Sequence, residues 1–117
     1  LLIKSKYGRI INFSTIAVSL GLQGESVYVA SKAGVEAFSR VLANELSPFN
    51  ITVNCIAPGP IKTNLLKHVS QKQIQDIVKR QIQKKIMDAS DVSDIVNLLL
   101  DPKSSKITGQ VFHVGGF

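Results

Sequence analysis

Tyr28 and Lys32 stand four residues apart in Tyr28-Val29-Ala30-Ser31-Lys32, near the start of a stretch with helical periodicity. A phenol and an amine therefore share one helix face, a single turn from each other. A free phenol ionises near pH 10 and is a poor base at neutral pH. An ammonium about 5 Å away, at an effective dielectric of about 20, favours the phenolate by roughly 3 kcal/mol, which makes such a pair usable for moving a proton. The same spacing also arises where a tyrosine is packed and a lysine solvated, so the pair needs company. Thirteen residues before Tyr28 lies Thr15, preceded by Ser14. A hydroxyl at that point could hold a substrate oxygen beside the phenol, or could satisfy loop backbone groups. A third group of residues is Ala57-Pro58-Gly59-Pro60-Ile61-Lys62-Thr63. Its glycine lets a flat ring approach the backbone, and the peptide groups and hydroxyl that follow can bind an amide and a phosphate. By itself it is only a turn.

These residues need a frame. Gly8-Arg9-Ile10-Ile11-Asn12-Phe13-Ser14 is a short, apolar, β-branched run and reads as a buried parallel strand ending at the hydroxyls. Residues 15–24 read as a loop. Over residues 26–45 apolar side chains recur at helical spacing, through Ala30, Ala33, Ala37 and Val41, until Pro48 stops them. A second strand over 51–57 is cut off by Pro58-Gly59-Pro60. Ser70 with Gln73 matches a capping box opening a helix through Ile74, Ile77, Val78 and Ile82. Ser90 can cap another through Val92, Ile95, Val96, Leu98 and Leu99, ended by Pro102. Residues 110–114 form a third strand. Strands separated by crossover helices predict a doubly wound α/β fold with a parallel sheet. Ligands in such sheets bind beyond the carboxyl ends of the strands, so the segments after Ser14 and after Ala57 belong to one mouth.

The totals narrow the classes. A length of 117 residues with 44% hydrophobic content suits one globular domain. The chain opens at Leu1 and its single methionine is Met87, which suggests part of a longer product. No apolar run approaches a bilayer span or a signal-peptide core, so a cytoplasmic protein without a membrane partner is expected. One cysteine, Cys55, excludes an internal disulfide and a cysteine-based zinc site, and no metal is expected. The Asn-x-Ser/Thr triplets at Asn12 and Asn50 lie on or beside buried strands, which argues against glycosylation. The net charge of +6 is concentrated in Lys62, Lys67, Lys72, Lys79, Arg80, Lys84 and Lys85, against Asp76 alone. A basic face could attract nucleic acid or an acidic carrier protein. No aromatic residues interleave with these lysines, so nucleic-acid binding is not expected, and a solvated helix face accounts for the charge.

The blocks Gly8 to Thr15, Tyr28 to Lys32 with Ala33-Gly34, Ile51-Thr52-Val53-Asn54 with Pro58-Gly59, and Ile107-Thr108-Gly109-Gln110 follow one another in an order that resembles the short-chain dehydrogenase/reductases. The likeness runs nearly end to end and is nearest to enzymes similar to 3-oxoacyl-carrier-protein reductases. It implies the C-terminal, catalytic half of a Rossmann-like domain over residues 1–117, with residues 62–87 as a mobile lid over the substrate. Tyr28 would exchange a proton with the substrate oxygen. Lys32 would ease that exchange and bind the nicotinamide ribose hydroxyls. Thr15 falls where the family usually has its catalytic serine, with Ser14 as the other candidate. Pro58, Gly59 and Ile61 would border the nicotinamide, the backbone of Ile61 would meet its carboxamide, and Thr63 would lie near the pyrophosphate.

Two parts of the family's site have no counterpart in this sequence: the glycine-rich phosphate loop and the asparagine that completes the catalytic tetrad. Asn12, Asn44 and Asn54 lie on the wrong elements to replace that asparagine. The resemblance thus implies hydride transfer between NADP or NAD and a carbonyl or secondary alcohol, acyl thioesters included, in a homodimer or homotetramer. The isolated piece would be inactive and would leave an edge strand bare. The alternative is a non-catalytic remnant serving as a packing or dimerisation module through the helix over 26–45.

Overall fold

The structure, a computed structural model, describes Lys4 and residues 7–117, with Asn64 and Leu65 described by their backbone alone. Strand β1 (Gly8–Phe13) pairs in parallel with β2 (Ile51–Ala57), from Gly8 opposite Ile51 to Phe13 opposite Ile56. β2 pairs in parallel with the short β3 (Val111–His113), from Cys55 opposite Val111 to Ala57 opposite His113. The order is β1-β2-β3. All seven residues of the middle strand are buried. Its polar members Thr52 and Asn54 are buried with the rest, as expected of a strand covered on both faces.

Alternate residues of each strand serve opposite faces. On one face Ile10, Ile51 and Val53 pack with Leu42, Ala43 and Leu46 of α2 (Ser26–Leu46). On the other, Ile11, Ile56, Phe112 and Val114 pack with Met87 and with Val92, Ile95, Val96 and Leu99 of the later helix that spans Ala89–Leu100. The strands step the same way across the sheet while these helices cover opposite faces, so the two crossovers are of opposite hand. One of them takes the uncommon left-handed path.

Polar groups of β2 are matched by the segment that leads into β3. The Asn54 amide donates to the Ile107 carbonyl at 2.9 Å and accepts from the Gln110 N–H at 3.1 Å. Thr108 Oγ1 accepts from the Val53 N–H at 3.0 Å. The Ile107-Thr108-Gly109-Gln110 block is therefore a clasp on β2 that places β3.

The α/β parallel architecture agrees with the expectation, and three readings of the helices and loops change. Residues 15–24 are not all loop: α1 (Ile16–Leu20) stands there, opened by the Thr15 side chain and closed by Gly21 in the left-handed region at φ 59°. The helix that begins at Ser70 is α3 (Gln71–Arg80), and it does not reach Ile82. Gln81 is already extended, because the Ile82 and Gln83 N–H groups donate to Gly116 and Gly115. Helix α4 (Ala89–Leu100) is capped at Asp88, whose N–H donates to Asp91 Oδ2 at 2.7 Å, and Ser90 lies inside its first turn. Helix α2 buries only Ser39 and Ala43, leaving Val27, Phe38 and Val41 exposed. Short 3-10 turns complete the chain at Ser47–Phe49, Asn64–His68 and Pro102–Ser104.

Candidate active site

A cleft of about 800 Å³ opens at the carboxyl ends of β1 and β2. Its walls are α1 with the loop to Tyr28 on one side and the 3-10 turn with α3 on the other. Gly59 and Pro60 form its base. Thr15, Tyr28 and Gly59, far apart in sequence, meet there.

Each is placed by its element. Thr15 is extended, at φ −156° and ψ 149°, and its Oγ1 accepts from the Ala17 N–H at 3.2 Å. A hydroxyl that caps in this way accepts one bond and keeps its own proton to donate. Ser14, one residue earlier, points the other way. It is buried, and its Oγ donates to Glu36 of α2 at 2.5 Å. Consecutive residues of extended chain project to opposite sides, so Thr15 and not Ser14 lines the cleft.

Tyr28 lies in the first turn of α2 and is half exposed toward the cleft. Lys32, one turn on, extends back to the strand, where its Nζ donates to the Phe13 carbonyl at 3.0 Å. That bond fixes the start of α2 against the end of β1, and with it the placement of Tyr28 relative to Thr15. The Phe13 carbonyl is an anchor that sequence reasoning missed, since a backbone acceptor leaves no trace in residue type.

The Pro58 carbonyl accepts from the Ile16 N–H at 3.0 Å, so the Pro-Gly-Pro turn and α1 are docked together. Ile61 forms an isolated parallel bridge with Met87, in which the Met87 N–H donates to the Pro60 carbonyl and the Lys62 N–H to that of Met87. In a parallel bridge the central residue's own N–H and C=O face the opposite edge, so those of Ile61 point away from Met87. They are suited to a planar amide. Thr63 is exposed, just before the 3-10 turn, and does not line the cleft. The segment over 62–87 supplies one whole wall, through Leu66, His68, Val69, Ile74, Ile77 and Arg80 among others. Arg80 Nη2 also reaches across to the Leu20 carbonyl of α1 at 3.3 Å.

None of the three asparagines serves the cleft. Asn12 donates to Ser39, Asn44 to the Arg40 carbonyl, and Asn54 is held in the clasp on β2. Cys55 is buried in the sheet. Burial pushes its thiol above the ordinary 9.0, opposed by a hydrogen bond with Ser39, so it is no nucleophile here. Among the described residues no group of three His, Cys, Asp or Glu could hold a metal ion, and no helix is long and apolar enough to cross a membrane.

With this geometry in hand, comparison with known proteins gives the class. A family model described as enoyl-(acyl carrier protein) reductase matches residues 2–117, and the chain belongs to the short-chain dehydrogenase/reductase family. It is 39% identical over 115 residues to the 3-oxoacyl-[acyl-carrier-protein] reductase FabG of Buchnera aphidicola subsp. Baizongia pistaciae, covering 98% of this chain and 47% of that protein. It is 38% identical to the (2S)-[(R)-hydroxy(phenyl)methyl]succinyl-CoA dehydrogenase subunit BbsD of Thauera aromatica, covering 98% and 46%. Among solved structures, a 3-oxoacyl-[acyl-carrier protein] reductase from Brucella melitensis superimposes with a TM-score of 0.85 at 30% identity, over 99% of this chain and 44% of that one. A short-chain type dehydrogenase/reductase from Mycobacterium ulcerans gives 0.90 at 28%, over 98% and 43%. The chain thus spans about half the length of the relatives it matches.

Proposed function

We propose that this chain is the catalytic half of an NAD(P)-dependent oxidoreductase that interconverts a carbonyl and a secondary alcohol, with 3-oxoacyl thioesters as the substrate class, working in the cytoplasm as a homo-oligomer. The observation that carries the reading is that Thr15 and Tyr28 line one cleft whose base is the Gly59-Pro60 turn. A reduced nicotinamide bound on that turn would supply the hydride. The chain's own residues do the rest. Thr15 donates a hydrogen bond to the substrate oxygen and holds the carbonyl in place. Tyr28 delivers the proton to that oxygen as the carbonyl carbon is reduced, and takes it back in the reverse direction. The Lys32 ammonium, on the same helix face, would bind the ribose hydroxyls and offset the negative charge left on the phenol. Pro58 and Gly59 would border the ring, Ile61 would offer its peptide groups to the carboxamide, and Thr63 would lie toward the pyrophosphate. The segment over 62–87 closes the site and excludes water.

The test uses the full-length gene product, with loss of the reduced-nicotinamide absorbance followed on ketones and 3-oxoacyl thioesters, using both NADH and NADPH. Tyr28→Phe is expected to lower kcat by about 10²- to 10⁴-fold, the range for a positioned general acid. An unaffected kcat would refute the role of Tyr28, and failure to bind either nucleotide would refute the function.

A second reading has its own support. Val27, Phe38 and Val41 are 83%, 60% and 57% exposed along α2, an apolar stripe suited to pairing with another copy. On that reading the chain is a dimerisation module without chemistry. Nucleotide binding combined with a Tyr28-dependent turnover excludes it.

A further inference from the structure

We propose that Gln81 is a positioning residue for the cofactor-facing turn, and that residue 59 is glycine because of Gln81 rather than because of the ring it would border. The inference rests on the nicotinamide reading of that turn.

Glycine is required at some positions for its backbone, and Gly59 is not one of them: the positive-φ glycines are 21, 24, 109, 115 and 116. Its requirement is therefore spatial. A Cβ built on Gly59 would sit 1.9 Å from Gln81 Oε1 and 3.1 Å from the amide carbon, while the next neighbour, Ile16 Cγ2, is at an ordinary 3.7 Å. Only Gln81 occupies the space.

A glutamine tip can usually swing aside. This one is held. Gln81 is fully buried at 0% exposure, and its Nε2 donates to the Gln83 carbonyl at 3.2 Å and the Lys85 carbonyl at 3.0 Å. With the nitrogen pinned by two bonds, Oε1 is left buried and without a donor, in the space a side chain on residue 59 would take. The chain on either side is fastened too, since Ile82 and Gln83 are bonded to Gly116 and Gly115. The amide is thus a fixed block under the turn. It sets the height of Gly59, and through the adjoining bridge with Met87 it sets the peptide groups of Ile61. An unsatisfied buried acceptor is unfavourable for stability, and its retention here is explained by what it positions.

The test is a double-mutant cycle in the full-length gene product, reading the Kd for NADH and NADPH by fluorescence and the thermal midpoint of each variant. Gly59→Ala alone is expected to weaken binding of the preferred nucleotide by about tenfold or more, and to lower the midpoint. Gln81→Ala alone should weaken binding several-fold. In the Gln81→Ala background, Gly59→Ala should carry no further penalty, the double variant binding within about twofold of the Gln81→Ala single variant. Gln81→Met fills the space with a flexible tip that no hydrogen bond pins, giving a folded background in which Gly59→Ala should weaken binding less than it does beside Gln81. If Gly59→Ala costs the same with Gln81 intact as in the Gln81→Ala background, while the unmodified protein binds nucleotide, this inference is overturned and the proposed function stands. If the unmodified protein binds neither nucleotide, both fall.

Discussion

Thr15 carries two loads with one hydroxyl. Its lone pair closes the start of α1 and its proton is available to the cleft, so substitutions should separate the two. Thr15→Ser keeps both and should leave kcat within a few-fold and stability unchanged. Thr15→Val keeps the shape and loses both, and is expected to lower kcat by about 10²-fold and stability by about 1 kcal/mol. Steady-state kinetics beside denaturant unfolding reads the pair. A Thr15→Val variant with normal kcat would assign the hydroxyl to capping alone. In the sequence the choice between Ser14 and Thr15 is open, because both are hydroxyls at a strand end. It closes only when the extended backbone sends Ser14 to Glu36. Tyr28 and Lys32 are legible from their spacing, whereas the Phe13 carbonyl that holds Lys32 is not. Cys55 gives a pH dependence. Burial raises its folded value above the ordinary 9.0, so the unfolded chain loses this proton first. Stability from this group is whole below about pH 9 and falls as pH rises through the window above it. Cys55→Ala should flatten that alkaline loss, and the native thiol should resist alkylation at pH 8 until the chain is unfolded.

At the scale of elements, the helix ends separate what local sequence decides from what tertiary contacts decide. Ser70 is readable because its cap is local, the side chain accepting from the Gln73 N–H three residues on. Replacing Ser70 by Ala should cost about 1 kcal/mol. Ser90 offers the same residue type, but the chain turns helical earlier, at Asp88. Ser90→Ala should therefore be close to neutral and Asp91→Ala the costly change, by about 1 kcal/mol. Chemical unfolding of both variants decides this, and a larger loss at Ser90 would restore the later start. The end of α3 cannot be read in advance. Ile82 keeps the helical apolar spacing, yet its N–H is claimed by Gly116, more than thirty residues away. Helix α1 escapes a periodicity argument because five residues are less than two turns, too few for a period to show. Its flanking signals, a threonine before and a glycine after, are present all the same.

The whole molecule shows why fold class is legible and handedness is not. Strands that alternate with helical stretches already call for a parallel sheet with helices against it. Nothing in residue order tells which face α4 takes, and that choice gives the crossovers opposite hands. The exposed stripe on α2 belongs to this scale as well. Phe38→Lys should move the full-length protein toward smaller species in sedimentation while leaving the Thr15 and Tyr28 cleft intact, and an unchanged distribution would exclude α2 as a pairing surface. Helix α1 is too short to persist alone. It is held by the Thr15 cap, the Ile16 bond to Pro58, the Arg80 bond to Leu20 and the contact of Ser19 with His113 at 2.9 Å. These ties come from β2, α3 and β3, so α1 can unravel only when the walls of the cleft part. The amide hydrogens of Val18 and Gly21, bonded to Thr15 and Ala17, therefore act as a clock for that parting: their exchange with deuterated solvent should be governed by the opening of the site and should slow when a ligand holds it shut.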